Sequence, residues 1–309
     1  MLDPVTGLIR FDPSSRDMFL RPYGARSVAA DAAPRAPRML RGRRLPRNVK
    51  VLRPVRANAG IQAAYRGQLE DLISEMHESV TYWVEAKYKN NEPRVVALAG
   101  DAAPSEVLRS AVAGLAKRWQ DKFDEAADRL AKYFATAVED RSSRALKKIL
   151  KDGGWTVRFT MTPAMRDVFD ATVNANVALI KSIPEQYLGG VEQLVQQSVQ
   201  RGGDRGLLAK QLQEKYGVTK RRAALIARDQ NNKANATFQK VRQLELGITD
   251  AIWMHSHGGE VPRPTHVAMN GKPYKIAEGK YDSAEGRNVM PGELINCRCA
   301  SRPIVSGFS

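Results

Sequence analysis

The sequence predicts a mainly α protein with a small C-terminal α+β module, its helices forming a long hairpin or rod and its first residues an extended arm. Three observations carry that expectation. Apolar residues recur at three- and four-residue steps through most of 58–246. Prolines and arginines fill 1–57 without a sustained period. From Trp253 to Phe308 the helical pattern gives way to short segments punctuated by Pro and Gly. The expected divisions are an arm over 1–57, a long-helix region over 58–153, a second helical region over 154–250, and a terminal Trp/His/Cys-x-Cys module over 251–309.

The arm is the most basic part of the chain. The whole protein has 49 Lys+Arg against 33 Asp+Glu, a formal charge of +16, and residues 1–60 alone hold 13 basic and 4 acidic residues. Arg35, Arg38, Arg41, Arg43, Arg44 and Arg47 alternate with Pro34, Pro37 and Pro46. Such a stretch cannot bury enough apolar surface to offset its ordering entropy, so it is expected to be extended and held by DNA or a neighbouring protein rather than by this chain's own core. A polyanionic partner follows from the charge. The three aromatics Phe11, Phe19 and Tyr23 are too few for base stacking on a single strand.

A helix is expected from Asn58 to about Lys89 on the stripe Ile61, Tyr65, Leu69, Ile73, Met76, Val80, Val84, with NNEP at 90–93 ending it. His77 on this helix reads as a surface or hydrogen-bonded residue. A second helix opens at Pro104-Ser105-Glu106 and keeps its stripe from Leu108 through Trp119, Phe123, Leu130 and Phe134 toward Leu150, roughly 70 Å at 1.5 Å per residue. Trp119 and Phe123 are expected to pack against the first helix or a partner helix, and Gly153-Gly154 to stop the second. Trp155 to Thr160 alternates and predicts a short strand. Next come a helix from TPAMRD to Ser182, a break at Pro184, and a helix through Val191, Val195 and Val199. Asp204 should cap a short helix to Tyr216, and Thr219 a long one ending at Gly247. With Gly217-Val218 as the turn and Lys220, Arg221 and Arg222 following, this last pair also has the form of a helix-turn-helix.

The terminal module holds three of the four histidines and both cysteines. His255, His257, His266, Cys297 and Cys299 could supply three or four ligands to a structural zinc. The C-x-C spacing and the distance from His266 to Cys297 match no common zinc motif, and the same residues also read as buried small hydrophobes beside a turn histidine. Cys297 and Cys299 are expected near His266 with Trp253 beneath them, closing the module, and His255 or His257 as the fourth ligand if a metal binds. No P-loop, nucleophile elbow or dinucleotide-binding glycine motif is present. No apolar run reaches the roughly 18 residues of a membrane span, and the first residues lack the layout of a secretory signal.

Trp253, His255, Ser256, Pro262, Arg263, Pro264, His266, Gly271, Pro291, Gly292, Asn296, Cys297 and Cys299, with Ala227, Arg228, Asp229 and Gln230 upstream, resemble the phage Mu F-like head morphogenesis (minor head protein) family over roughly 160–308. Many of its members carry an acid shortly after the tryptophan, where this chain has His257, Gly258 and Gly259. The resemblance implies a structural minor head protein of a tailed phage or prophage with no catalytic residues. Its partners would be portal or major capsid protein and packaged double-stranded DNA. Its place would be the head interior or portal vertex of the virion, with host cytoplasm during assembly. Two other readings stand beside it: a metal-dependent nuclease or hydrolase built on the His/Cys cluster, with Glu260 or Glu293 as its nearest acid, and a DNA-binding regulator using the helix-turn-helix.

Overall fold

The computed structural model describes residues 49–90, 104–201, 204–258 and 261–306. Arg35, Arg38, Arg41, Arg43, Arg44 and Arg47, and with them most of the expected arm, lie outside the described residues. The elements are β1 (Val49–Val51), α1 (Ala59–Asn90), α2 (Pro104–Asp152), α3 (Pro163–Gln200), α4 (Arg205–Glu245), β2 (Asp250–Met254), α5 (Pro264–Met269), β3 (Pro273–Lys275), β4 (Lys280–Asp282), β5 (Arg287–Val289) and β6 (Ala300–Ser306). The mainly helical class with a small C-terminal sheet is what the sequence predicts.

The four long helices form an up-down-up-down bundle, and side-chain pairs fix its directions. Trp119 Nε1 donates to Ser79 Oγ at 3.2 Å and Lys122 pairs with Glu75 at 2.5 Å, so α1 and α2 are antiparallel. Arg222 Nη2 donates to Ser182 Oγ at 2.8 Å and Asn176 Nδ2 to Gln230 Oε1 at 3.3 Å, so α3 and α4 are antiparallel as well. The diagonal pair α1 and α3 runs parallel. Tyr65 meets Asn176 at 3.0 Å, His77 meets Tyr187 at 2.7 Å, and Tyr88 meets Ser198 at 2.9 Å. These buried polar rungs recur at a near-constant sequence offset, and each is satisfied, which a buried polar group requires.

Apolar spacing explains the rest of the bundle. Tyr65, Leu69, Ile73, Met76, Val80, Val84 and Tyr88 are all essentially inaccessible on one face of α1. On α2, Leu108, Val112, Leu115, Trp119, Phe123, Leu130, Phe134 and Val138 do the same, in steps close to the seven-residue repeat of left-handed bundles. Asn58 Oδ1 accepts the Ile61 amide at 3.0 Å at the start of α1, and Thr162 and Asp204 cap α3 and α4 through Met165 N and Leu207 N.

Four expectations are corrected. Trp155 to Thr160 is extended but pairs with no strand. Its alternation is real, because Trp155, Val157 and Phe159 turn onto the cluster of Leu146 and Leu150, and the edge strand β1 reaches it through the Lys50 side chain, over the Trp155 ring and onto the Gly153 carbonyl, not through a ladder of backbone hydrogen bonds. Pro184 does not end a helix: α3 continues through it to Gln200. The missing amide sits in a well-packed turn, where Ile183, Pro184, Tyr187 and Leu188 are buried and Gln120 of α2 donates to the Lys181 carbonyl at 3.2 Å. The helix-turn-helix is also absent, since α4 runs unbroken from Arg205 to Glu245. Gly217 costs such a helix only about 1 kcal/mol, and Leu208, Leu212, Ala223, Ile226 and Phe238, buried on either side of it, outweigh that. Thr219 is no cap; its hydroxyl donates back to the Lys215 carbonyl at 2.9 Å.

The fourth correction concerns the end of the arm. Residues 49–57 belong to this chain's own core: Val49–Val51 pairs antiparallel with β6, and Leu52 and Val55 are buried against Leu146 and Leu150. Helices on both sides of the expected 153/154 division share one apolar cluster.

The terminal sheet has strand order β1-β6-β2-β3, all antiparallel, and β4-β5 form a separate hairpin. In β2, Ala251 and Trp253 face inward. They join Ile248, Met269, Tyr274, Ile276, Val289, Leu294, Cys297 and Cys299 in a compact core of their own.

Candidate functional site

Three separate segments bring the cluster together. Pro264 starts α5 and presents His266 on its buried side. The β4-β5 hairpin presents Asp282, which is fully buried. The turn after Pro291 presents Cys297 and Cys299, both buried and neither in a disulfide. Trp253 lies beneath, its ring edge-on to His266 with centroids 5.0 Å apart.

His266 Nδ1 lies 3.4 Å from Cys297 Sγ and 3.7 Å from Cys299 Sγ. The opposite nitrogen, Nε2, is 3.1 Å from Asp282 Oδ2, but in poor alignment, so it makes an electrostatic contact and no formed hydrogen bond. Asp282 is held from both sides: Oδ2 accepts from Thr265 Oγ1 at 3.2 Å and Oδ1 from the Ala284 amide at 2.9 Å. The ordinary preference of a buried carboxyl for its neutral form works against Asp282, but these hydrogen bonds and the His266 ring together hold it below the usual carboxylate range.

The two thiols titrate as a unit. The Cys299 thiol, the His266 ring and the amides of Cys299 and Gly292 together lower the pKa of the Cys297 thiol below the ordinary thiol range, against the opposing effect of burial. The second proton stays on Cys299, raised first by the neighbouring Cys297 sulfur and then by burial. The Gly292 amide donates to Cys297 Sγ at 3.4 Å, and the Ser256 amide faces Cys299 Sγ.

Among the described residues, the ligand atoms that gather within 4.8 Å of one another belong to His266, Cys297 and Cys299. The expected proximity of these three is therefore present, and the expected fourth ligand is not. His255 is buried beside the trio, and its Nδ1 accepts the His257 amide at 3.2 Å. Burial, then the nearby His257 ring, lowers its pKa. His257 sits at φ 52° with its side chain exposed, the ring edge-on to His255 at 4.6 Å. Asp282 is the member the sequence did not reveal. It is one acid among 33, and only the hairpin fold places it under His266.

The turn carrying the cysteines is docked on α4. Asp229 Oδ1 accepts the Asn296 amide at 2.7 Å, with Asn296 at φ 60°, so two residues singled out at opposite ends of the sequence resemblance are joined. Gly292 has φ 88°, and a Cβ there would meet Ala236 Cβ at 3.0 Å and the Asn232 carbonyl at 3.3 Å. Only glycine suits that approach. Beside the cysteines, between α4 and the module, lies a cleft of about 380 Å³ lined in part by Arg56, Arg228, Lys240, Arg298 and Cys299.

Chemically, a soft S₂N donor set with a carboxylate behind the imidazole can hold a divalent metal. Of the two acids singled out in the sequence, neither is placed beside these groups as a free carboxylate among the described residues. Glu293 is consumed by its turn, with Oε2 accepting the Met290 amide at 2.7 Å and Oε1 paired to Arg287 at 2.6 Å, and Glu260 lies outside the described residues. His77, midway along α1 in the bundle, is buried and satisfied by Tyr187 and by Gln213 at 3.1 Å, and stacks on Tyr216 at 4.2 Å.

Residues 189–302 match the family model described as Phage Mu protein F like protein. An uncharacterized protein of Haemophilus influenzae (strain KW20 / Rd) is 34% identical over 144 residues, which is 47% of this chain and 31% of that protein. The chain thus spans about a third of the relative's length. No solved structure matches it.

Proposed function

On the premise that residues 189–302 are a Phage Mu F-like segment, we propose that the protein is a minor head protein of a tailed phage or prophage, structural rather than enzymatic, that binds portal or capsid subunits during head assembly and DNA packaging. The family match carries this reading. It covers the last third of α3, all of α4 and the terminal module into β6, so the resembling residues are the ones that build the buried cluster and its seat on α4.

Two physical features support it. The charge of +16 suits a protein beside packaged DNA, since Lys and Arg neutralise phosphate without reading sequence. The DNA contact is assigned to Arg35, Arg38, Arg41, Arg43, Arg44 and Arg47, and it should weaken steeply with salt. The bundle, with a 49-residue α2 extending about 74 Å at 1.5 Å per residue, offers a long face to neighbouring subunits.

The test is co-expression with the portal and major capsid proteins of a tailed phage that carries this chain, followed by gradient purification of heads and mass spectrometry of their contents. The protein should sediment with heads, and a chain beginning at Val49 should fold but incorporate less well. Full-length protein found only in the soluble fraction, with normal heads forming in its absence, would overturn the proposal.

A further inference from the structure

We propose that His266 Nδ1, Cys297 Sγ and Cys299 Sγ bind a single zinc ion that locks the terminal module, with Asp282 orienting the imidazole from behind. This inference stands on the module's geometry and does not depend on the head-protein reading.

The distances are those of a coordination polyhedron. Zinc bonds of about 2.3 Å to sulfur and 2.0–2.1 Å to nitrogen place the N···S edges of a tetrahedron at roughly 3.5–3.6 Å. The two observed edges, 3.4 and 3.7 Å, bracket that value, so an ion would enter with little movement of the side chains. A catalytic cysteine–histidine pair needs one sulfur at the imidazole nitrogen and an open approach to it. Here two sulfurs converge on the same nitrogen, and both are buried.

The surroundings also suit a metal thiolate. Backbone amides of Gly292 and Ser256 face the two sulfurs, as expected of groups that stabilise ligated thiolates. A buried carboxylate behind the non-ligating nitrogen of a histidine is the usual outer partner of a zinc-bound imidazole, and Asp282 occupies that position at 3.1 Å. The module's own apolar core is small, and small cores commonly depend on a staple. Zinc fits two thiolates and an imidazole better than magnesium or calcium, which prefer oxygen. His255 is buried and within electrostatic reach of Cys297 and His266, although its ring is not among the three gathered ligand groups.

The full chain, purified without chelator, should contain about one zinc per chain by elemental analysis. Cobalt(II) exchanged into it should show a thiolate-to-metal charge-transfer band with the visible absorption of tetrahedral cobalt. Cys297→Ser and Cys299→Ser should each weaken the charge-transfer band, and His266→Ala should abolish tight binding. Because those variants can misfold, Asp282→Asn is the decisive one: all three ligands remain, and competition against a chelator should show zinc held roughly 10–100-fold more weakly. Less than roughly 0.2 zinc per chain both as purified and after reductive reconstitution would overturn the proposal. So would alkylation of Cys297 and Cys299 at equal rates with and without added zinc.

Discussion

Replacing Arg242 by methionine should be among the most damaging single changes in the protein. Its side chain is 3% exposed and joins three parts of the fold. Nη2 donates to Glu139 of α2 at 2.7 Å, Nη1 to the Thr160 carbonyl at 2.6 Å and to Glu245 at 3.1 Å, and Nε to Ser143 at 3.1 Å. The guanidinium also lies over the Phe159 ring at 4.8 Å. Arg242→Met keeps much of the packing volume but leaves the Glu139 carboxylate, whose side chain is 12% exposed, without its cation. Breaking a buried pair in this way costs about 3–5 kcal/mol. In a domain of this size that corresponds to roughly 6–20 °C of melting temperature. Urea unfolding followed by circular dichroism gives the free energy, and a cycle with Glu139→Gln isolates the pair. The double variant should be less destabilised than the sum of the singles, by roughly 0.5–3 kcal/mol. A loss below about 1 kcal/mol for Arg242→Met, or strict additivity in the cycle, would refute the view that this arginine ties α2, α4 and the 155–161 segment together.

Trp119→Ala should cost about 3–5 kcal/mol in the same assay, because the ring is buried between α1 and α2 and its N–H bonds Ser79. A cost under 0.5 kcal/mol, a value set by the scale of ordinary surface substitutions, would mean that face is not packed. His77 should contribute an acid-sensitive share of stability. Burial lowers its pKa from the usual 6.5, against smaller opposing effects of Gln213 and Glu78, so the unfolded chain takes up a proton first. Stability from this group is full above about pH 6.5 and declines as pH falls toward the depressed folded value; His77→Gln should flatten the melting-temperature profile there, and an unchanged acid slope would exclude the mechanism. Leu52→Ala should destabilise by about 2–5 kcal/mol, and a chain beginning at Asn58 should melt below one beginning at Val49, since the former lacks β1 and the Leu52 and Val55 contacts. Equal melting temperatures for the two truncations would return residues 49–57 to the arm.

The long helices α1 and α2 were legible because nearly every third or fourth residue is apolar over many turns, a pattern no other element produces. The divisions expected within α3 and α4 came from local breakers, Pro184 and Gly217-Val218, whose cost is a few kcal/mol at most. Sequence shows that cost directly, but it hides the burial on either side that offsets it. Residues 155–160 make the opposite point: their alternation correctly reports one apolar side, but a strand also needs a neighbouring backbone, which no local pattern encodes. Val49, Val51, Leu52 and Val55 make only a short apolar stretch interrupted by Lys50, Arg53 and Pro54, too brief after a basic segment to announce a strand and an anchor. The cluster of His266, Cys297 and Cys299 was visible because these residue types are rare in this chain. Asp282 was not, because carboxylates are common and its position depends on a hairpin.

The cluster also bears on how the module is attached. Cys297 and Cys299 flank Arg298 on the turn that Asp229 holds through the Asn296 amide and that Gly292 allows close to Ala236. Another link is Lys240, which donates to the Ala277 carbonyl at 3.1 Å. These contacts all fall on one stretch of α4. The opposite face of that helix carries Ile226, Ala227, Ala234 and Phe238 into the bundle core. Fixing the turn to His266 therefore connects α5 and the β4-β5 hairpin to the same helix that the bundle orients. The residues that match the family model begin within α3 and omit α1 and α2, so the matched segment leaves the buried face of α4 without two of its three packing partners. A unit of that kind cannot bury its own apolar surface. In this chain α1 and α2 supply that surface, sharing one apolar cluster with α3 and α4.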